Sequence, residues 1–97
     1  MDRDHILTTL RRHAIDLRGL GISSLFLFGS TARNEAGPAS DVDLFFDFDD
    51  PGFSLVELVA LQERIADLLH IRADVMSRGS LHPRLRSSIE GSAVRVF

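Results

Sequence analysis

From His5 to Leu20 the apolar residues Ile6, Leu7, Leu10, Ala14, Leu17 and Leu20 recur every three or four positions. That spacing lines one side of an α-helix, and Gly19 and Gly21 end it. The next run, SLFLFGS from Ser24 to Ser30, lacks polar alternation and stops at glycine, which predicts a short strand covered on both faces. Thr31 to Arg33 predicts a helical turn, and Glu35 to Ser40, containing Gly37 and Pro38, a loop.

The pattern then changes period. In DVDLFFDF, strand alternation puts Val42, Leu44, Phe46 and Phe48 on one face and Asp41, Asp43, Phe45 and Asp47 on the other, so one face is core and the other mostly carboxylate. After Pro51 and Gly52, Ser54 and Glu57 have the spacing of a capping box that opens a helix through Leu69. Its apolar side is Leu55, Leu58, Val59, Leu61, Ile65, Leu68 and Leu69. IRADVMS, Ile71 to Ser77, alternates again, with Ile71, Ala73 and Val75 opposed to Arg72, Asp74 and Met76. A last helix from Pro83, turning Leu85, Ile89 and Ala93 inward, precedes the tail VRVF. The order predicts one α/β domain over residues 1–97, a small mixed sheet flanked by helices. Strands one and two, joined by a short link, are expected antiparallel, and strands two and three, joined through a helix, parallel.

Composition narrows the function. At 97 residues, 44% hydrophobic and 26% charged with net charge -3, the chain has room for one core and none for a second domain. Its mild acidity argues against direct binding of nucleic acid, which takes clustered Lys and Arg. Cysteine is absent, which removes disulfides and thiolate metal sites, and Trp and Tyr are absent too. The charged first residues, MDRDHILTTLRRHAIDLRG, contain no continuous apolar segment, so no signal peptide or membrane span is expected and a cytoplasmic location is the default.

The chemistry concentrates in GSTARNEAGPASDVDLFFDFDD. Asp41 and Asp43, two residues apart on a strand, point the same way about 6.6 Å apart along the chain. At an effective dielectric of 20 they repel by roughly 2.5 kcal/mol, and Asp74 on a neighbouring strand adds to that. A divalent cation reverses the sign, because Mg²⁺ takes one or two carboxylates together with water and substrate phosphates. Gly29 lets the backbone approach a phosphate, Ser30 adds a hydroxyl, and Arg33, one turn on, is placed to face a phosphate or the substrate.

Gly29-Ser30, ten residues, then Asp41-x-Asp43 resembles the signature of the polymerase-beta-type nucleotidyltransferases, and GSTAR with SDVDL is similar to their minimal nucleotidyltransferase (MNT) branch. The resemblance implies a polymerase-beta-like palm fold without a second helical domain. It implies two Mg²⁺ ions, with Asp41 and Asp43 binding both and Asp74, the family's third carboxylate, binding the catalytic one. It also implies ATP as substrate, Gly29, Ser30 and Arg33 on the nucleotide, and AMP transfer to a hydroxyl, typically a tyrosine, of a partner HEPN-domain toxin for which the chain is the antitoxin. Two other functions remain open: an antitoxin that neutralises its partner by occlusion, and one subunit of a small-molecule nucleotidyltransferase.

Other residues are set aside. His5, His13, His70 and His82 lack the paired spacing of a zinc site. Asp47, Asp49 and Asp50 are expected to form a solvated strand end and turn, Phe45 and Met76 to fill core, and Arg84 and Arg86 to lie on an exposed helix face.

Overall fold

The computed structural model describes residues 2–35 and 41–97, so the loop expected over Glu35 to Ser40 lies, after Glu35, outside the described residues. The elements run α1 (Arg3–Arg12), α2 (Ala14–Arg18), β1 (Ser24–Phe28), α3 (Gly29–Ala32), β2 (Val42–Asp47), α4 (Leu55–Leu69), β3 (Ala73–Ser77), a 3-10 turn (Arg78–Ser80), α5 (Arg86–Ser92) and β4 (Val94–Arg95). They build a four-stranded mixed sheet in the order β3-β2-β1-β4. As expected, β1 and β2 pair antiparallel and β2 and β3 parallel.

The first helix is two helices. At His13 the backbone leaves helical geometry, with φ -107 and ψ 21, and the ring Nδ1 lies 2.9 Å from the Thr9 carbonyl oxygen. The break lets Leu17 return to the core fully buried, while Ile15 is left outside. Gly19 sits in ordinary helical geometry, and it is Gly21, at φ 109, that needs glycine for the reversal into β1. The predicted first strand ends at Phe28, two residues early, because Gly29 and Ser30 already open α3.

One face of the sheet carries Leu25, Leu27, Val42, Leu44, Phe46, Ala73 and Val75, packed in a single core with Ile6, Leu7 and Leu10 of α1 and Leu61, Ile65 and Leu69 of α4. The capping box forms: the Ser54 amide donates to Glu57 Oε2 at 2.9 Å, and the Ser54 side chain accepts from the Glu57 amide. Leu55 and Val59, assigned by periodicity to the inner side of α4, are instead exposed, and the buried residues of the helix are Leu61, Ile65 and Leu69. Phe48 lies beyond β2 and leaves the core face to stack on Phe53 at 4.9 Å.

The opposite face differs from the expected field of carboxylates. Phe28, Phe45 and Leu81 form a second apolar cluster, joined by Phe26, Met76, Ile89 and Ala93, so α5 packs there. Leu85, expected to point inward with Ile89, is exposed as the cap of α5. Asp47 is no solvated strand end. Arg78 grips it with two parallel hydrogen bonds, Nε to Oδ1 at 2.7 Å and Nη2 to Oδ2 at 2.9 Å, and Ser24 Oγ donates to it at 2.8 Å. The same guanidinium donates to Glu90 of α5 and lies 4.9 Å over the Phe26 ring and 5.0 Å over that of Phe45. The tail VRVF is also structured: β4 pairs with β1, and Arg11 donates to the carbonyls of Val96 and Arg95.

Arg78 therefore joins β2, the turn after β3 and α5 through a charge-assisted fork and two aromatic faces. Truncating it should remove about 2 kcal/mol, a fall in Tm of roughly 10 °C for a domain this small. The hydrogen bonds from Arg78 lead in holding the Asp47 carboxyl below its ordinary value of 3.8. A depressed carboxyl stabilises the fold above its unfolded value and loses that contribution as pH falls through its folded value. The Tm gap between the parent and Arg78→Ala, measured by circular dichroism, should therefore hold steady from pH 8 to 5 and narrow in more acidic solution.

Candidate active site

β1 ends in the pair Phe28↔Asp43, and the next pair outward, across β2 and β3, is Asp43↔Asp74. Registered residues on neighbouring strands point to the same face, about 4.8 Å apart in the backbone. Asp43 and Asp74 are thus side-by-side carboxylates at one end of the sheet, and Asp41 sits just before β2 on the same strand line. Asp43 is half-buried, whereas Asp41 and Asp74 are exposed. Burial first, then the charges of Asp74 and Asp41, push the Asp43 carboxyl above its ordinary value of 3.8. Arg72 lies 3.9 Å from Asp41 but is itself 89% exposed, too loosely held to neutralise the cluster.

Gly29 abuts this cluster. Its φ is +76, and a β-carbon there would stand 2.5 Å from Asp43 Oδ2. Both the backbone geometry and the space require glycine at this position. The short α3 that follows is anchored from below by buried Thr31 and Ala32, and Arg3 of α1 donates to the Ala32 carbonyl at 3.2 Å. Its first amides, those of Gly29 and Ser30, stand at a helix start, where backbone N–H groups have no partner one turn back. Arg33, at the end of α3, pairs with Glu35 at 3.1 Å while both remain mostly exposed, a contact too weak to fix it.

Among the described residues no three His, Asp or Glu side chains form a ready-made metal cage. The donor set nevertheless fits Mg²⁺, which needs only one or two protein carboxylates and completes its shell with water and substrate phosphates. Asp43 and Asp74 supply hard oxygen donors with an uncompensated charge, and Gly29, lacking a side chain, lets the Asp43 carboxylate sit against its backbone.

Sequence reasoning missed the neighbouring cleft. About 390 Å³ in volume, it is walled by Gln62, Glu63 and Ala66 of α4 together with Asp41, Arg72, Ala73 and Asp74. The contribution of α4 depends on how the helix lies along β3, and helical periodicity reports only its buried side. Arg72, two residues before Asp74, was the one local signal.

Residues 8–96 match the family model of the nucleotidyltransferase domain. The chain is 36% identical over 89 residues to the "Putative protein adenylyltransferase MJ0126" of Methanocaldococcus jannaschii, covering 90% of each chain. It is 32% identical over 94 residues to the protein adenylyltransferase MntA of Thermococcus cleftensis, covering 96% of this chain and 94% of that one. Among solved structures it is similar to one described as a "putative minimal nucleotidyltransferase", with a TM-score of 0.82, 34% identity and coverage of 97% and 95%. A chain in the complex of a tri-AMPylated Shewanella oneidensis HEPN toxin with an MNT antitoxin gives a TM-score of 0.66, covering 94% of this chain and 71% of that one. At 17% identity that likeness shows the fold alone.

Two substitutions should move stability in opposite directions. Gly29→Ala forces a side chain into left-handed backbone and against Asp43, which costs about 1–3 kcal/mol and lowers Tm by several degrees. Asp43→Asn should raise the Tm of the metal-free protein. A carboxyl whose value is raised on folding opposes folding once ionised, so stability falls as pH climbs through that window, and the amide escapes it. The same Asp43→Asn should abolish most of the Tm gain from Mg²⁺ with ATP, which for the parent is about 2.7 kcal/mol at a hundredfold excess over Kd. Thermal melts of both variants with and without the two additives provide the check.

Proposed function

The chain belongs to the nucleotidyltransferase domain family, in its minimal branch, and on that premise we propose that it is an antitoxin that moves AMP from ATP to a tyrosine hydroxyl of a HEPN-domain toxin. The observation that carries this reading is the half-buried Asp43 set between Asp74 and Gly29 at the open end of the sheet. Such a group is unfavourable on its own and becomes favourable with a polyphosphate and a divalent ion. The relatives named as protein adenylyltransferases support the choice of AMP and of a protein acceptor. The fold shared with a chain of the AMPylated toxin complex supports the choice of partner.

In this reading Asp41 and Asp43 hold the metal, and Asp74 completes the position nearest the acceptor. When bound, Mg²⁺ supplies charge neutralisation to the attacking and leaving oxygens of an in-line displacement. The amides of Gly29 and Ser30 and the Ser30 hydroxyl hold the β- and γ-phosphates, and Arg33 closes on them from the end of α3. Asp74 takes the proton of the acceptor hydroxyl, whose oxygen forms the new bond to the α-phosphorus. The bond from that phosphorus to the bridging oxygen breaks, and pyrophosphate leaves with the electron pair. Catalysis is then mostly positioning and electrostatics, as for phosphoryl transfer in general.

Transfer and occlusion differ in stoichiometry. The enzyme should silence a molar excess of toxin and add a whole number of AMP masses to each silenced molecule, as read by intact-mass spectrometry. Asp41→Asn combined with Asp43→Asn removes donor oxygens at nearly constant volume, so it should still bind the toxin yet protect only transiently. Full protection by that double variant, with the toxin's mass unshifted, would overturn the transferase reading in favour of occlusion.

A further inference from the structure

Six large apolar side chains are conspicuously exposed among the described residues, and four of them lie together: Phe48 at 41%, Leu55 at 71%, Val56 at 76% and Val59 at 47%. Clustered exposure of this kind marks a contact surface more often than scattered exposure does. Beside them is a shallow apolar hollow of about 280 Å³, walled in part by Phe48, Phe53, Leu55 and Leu58.

The patch continues toward the carboxylates. On a helix, positions 55, 59, 62 and 66 lie in one stripe, because steps of four and three residues return to the same face. Leu55 and Val59 are its exposed upper half, and Gln62 and Ala66 form a wall of the cleft that contains Asp41 and Asp74. Seven residues of helix separate Leu55 from Gln62, about 10 Å. A single face of α4 therefore leads from an apolar anchor point to the cleft that Asp74 lines.

We propose that this face of α4 is the docking surface for the acceptor protein, which lays an amphipathic segment along it and delivers its hydroxyl into the cleft at Asp74. The proposal rests on the transferase reading above and adds the surface that presents the acceptor. Charge selects the occupant. Asp49 and Asp50 lie just before α4, Glu63 follows Val59 by one helical turn, and the cleft beyond adds Asp41 and Asp74. Of the cations near it, Arg78 and Arg86, which share a hollow with Phe48 and Asp49, are paired with Asp47 and Glu90, and Arg72 lies beside Asp41. The complementary segment carries two or three large apolar side chains flanked by Lys or Arg, with its acceptor hydroxyl about 10 Å beyond the anchors. A second copy of this chain, net charge -3, would set one acidic border against another.

The test uses this chain and a HEPN-domain toxin as the candidate acceptor. Three variants are compared with the parent: Leu55→Ser with Val59→Ser, Glu63→Lys, and Ile15→Ser, which removes an apolar side chain 88% exposed on α2. All the substituted side chains are at the surface, and circular dichroism should show each variant folded as the parent is. Biolayer interferometry reads the Kd for the partner, steady-state kinetics the KM and kcat for AMP transfer, and melting the response to Mg²⁺ with ATP. The first two variants should raise Kd and KM at least tenfold with kcat within about twofold and the melting response unchanged, and Ile15→Ser should match the parent. Unchanged Kd in the first two variants overturns the docking surface. So does a parent that is dimeric by light scattering and made monomeric by Leu55→Ser with Val59→Ser. A partner that binds through this face but gains no AMP upholds the surface and overturns the transferase reading, so the two failures are distinct.

Discussion

A β-carbon on residue 29 would stand 2.5 Å from Asp43 Oδ2, and the rest of the site depends on that proximity. The antiparallel register fixes it, since Phe28 pairs with Asp43 and the next residue must turn away over the carboxylate. A positive φ makes the turn, and α3 begins at once, with its first amides held beside the charge. Register, backbone conformation and electrostatics are thus one constraint. Slipping the β1–β2 pairing by a single residue would turn Asp43 into the main core and break the contact with Gly29.

The two faces of the sheet divide the work. Toward α1 and α4 the sheet is uniformly apolar, and that core carries most of the stability. On the other face the carboxylates occupy one end, while Phe45, Phe28 and the fork from Arg78 to Asp47 and Glu90 hold the remainder. Acidic groups on the same strand meet opposite fates. Asp47 is drawn into a guanidinium and lowered, and Asp43, four residues earlier, has no such partner and is raised. A domain of this size tolerates an electrostatically unfavourable end because the far end is so well tied.

Much of this was legible in the residues. Alternation in DVDLFFDF placed Asp41 and Asp43 together, and the Gly29-Ser30 to Asp41-x-Asp43 spacing marked the turn that meets them. The helix start at Ser54 was legible because a cap is local chemistry. What escaped depended on tertiary geometry. The break at His13 interrupts an otherwise helical period, and the exposure of Leu55 and Val59 depends on which side of α4 the core covers. Asp47 appeared solvated because its partner, Arg78, is 31 positions away. VRVF is too short to announce a strand, and β1 makes it one.

In the sheet order β3-β2-β1-β4, the strand bearing Asp74 is an edge. One side of Ala73–Ser77 therefore offers backbone groups with no strand beside them, the feature through which sheets recruit foreign chains and aggregate. A short strand and an outward carboxylate are the usual safeguards, and β3 has both: five residues, with Asp74 exposed near its start. The carboxylate at the candidate site thus also lies on an edge strand, where a charge opposes pairing with a foreign chain. Loss of Asp74 would expose a bare edge as well as an altered site, so low recovery of such a variant would report on association as much as on chemistry.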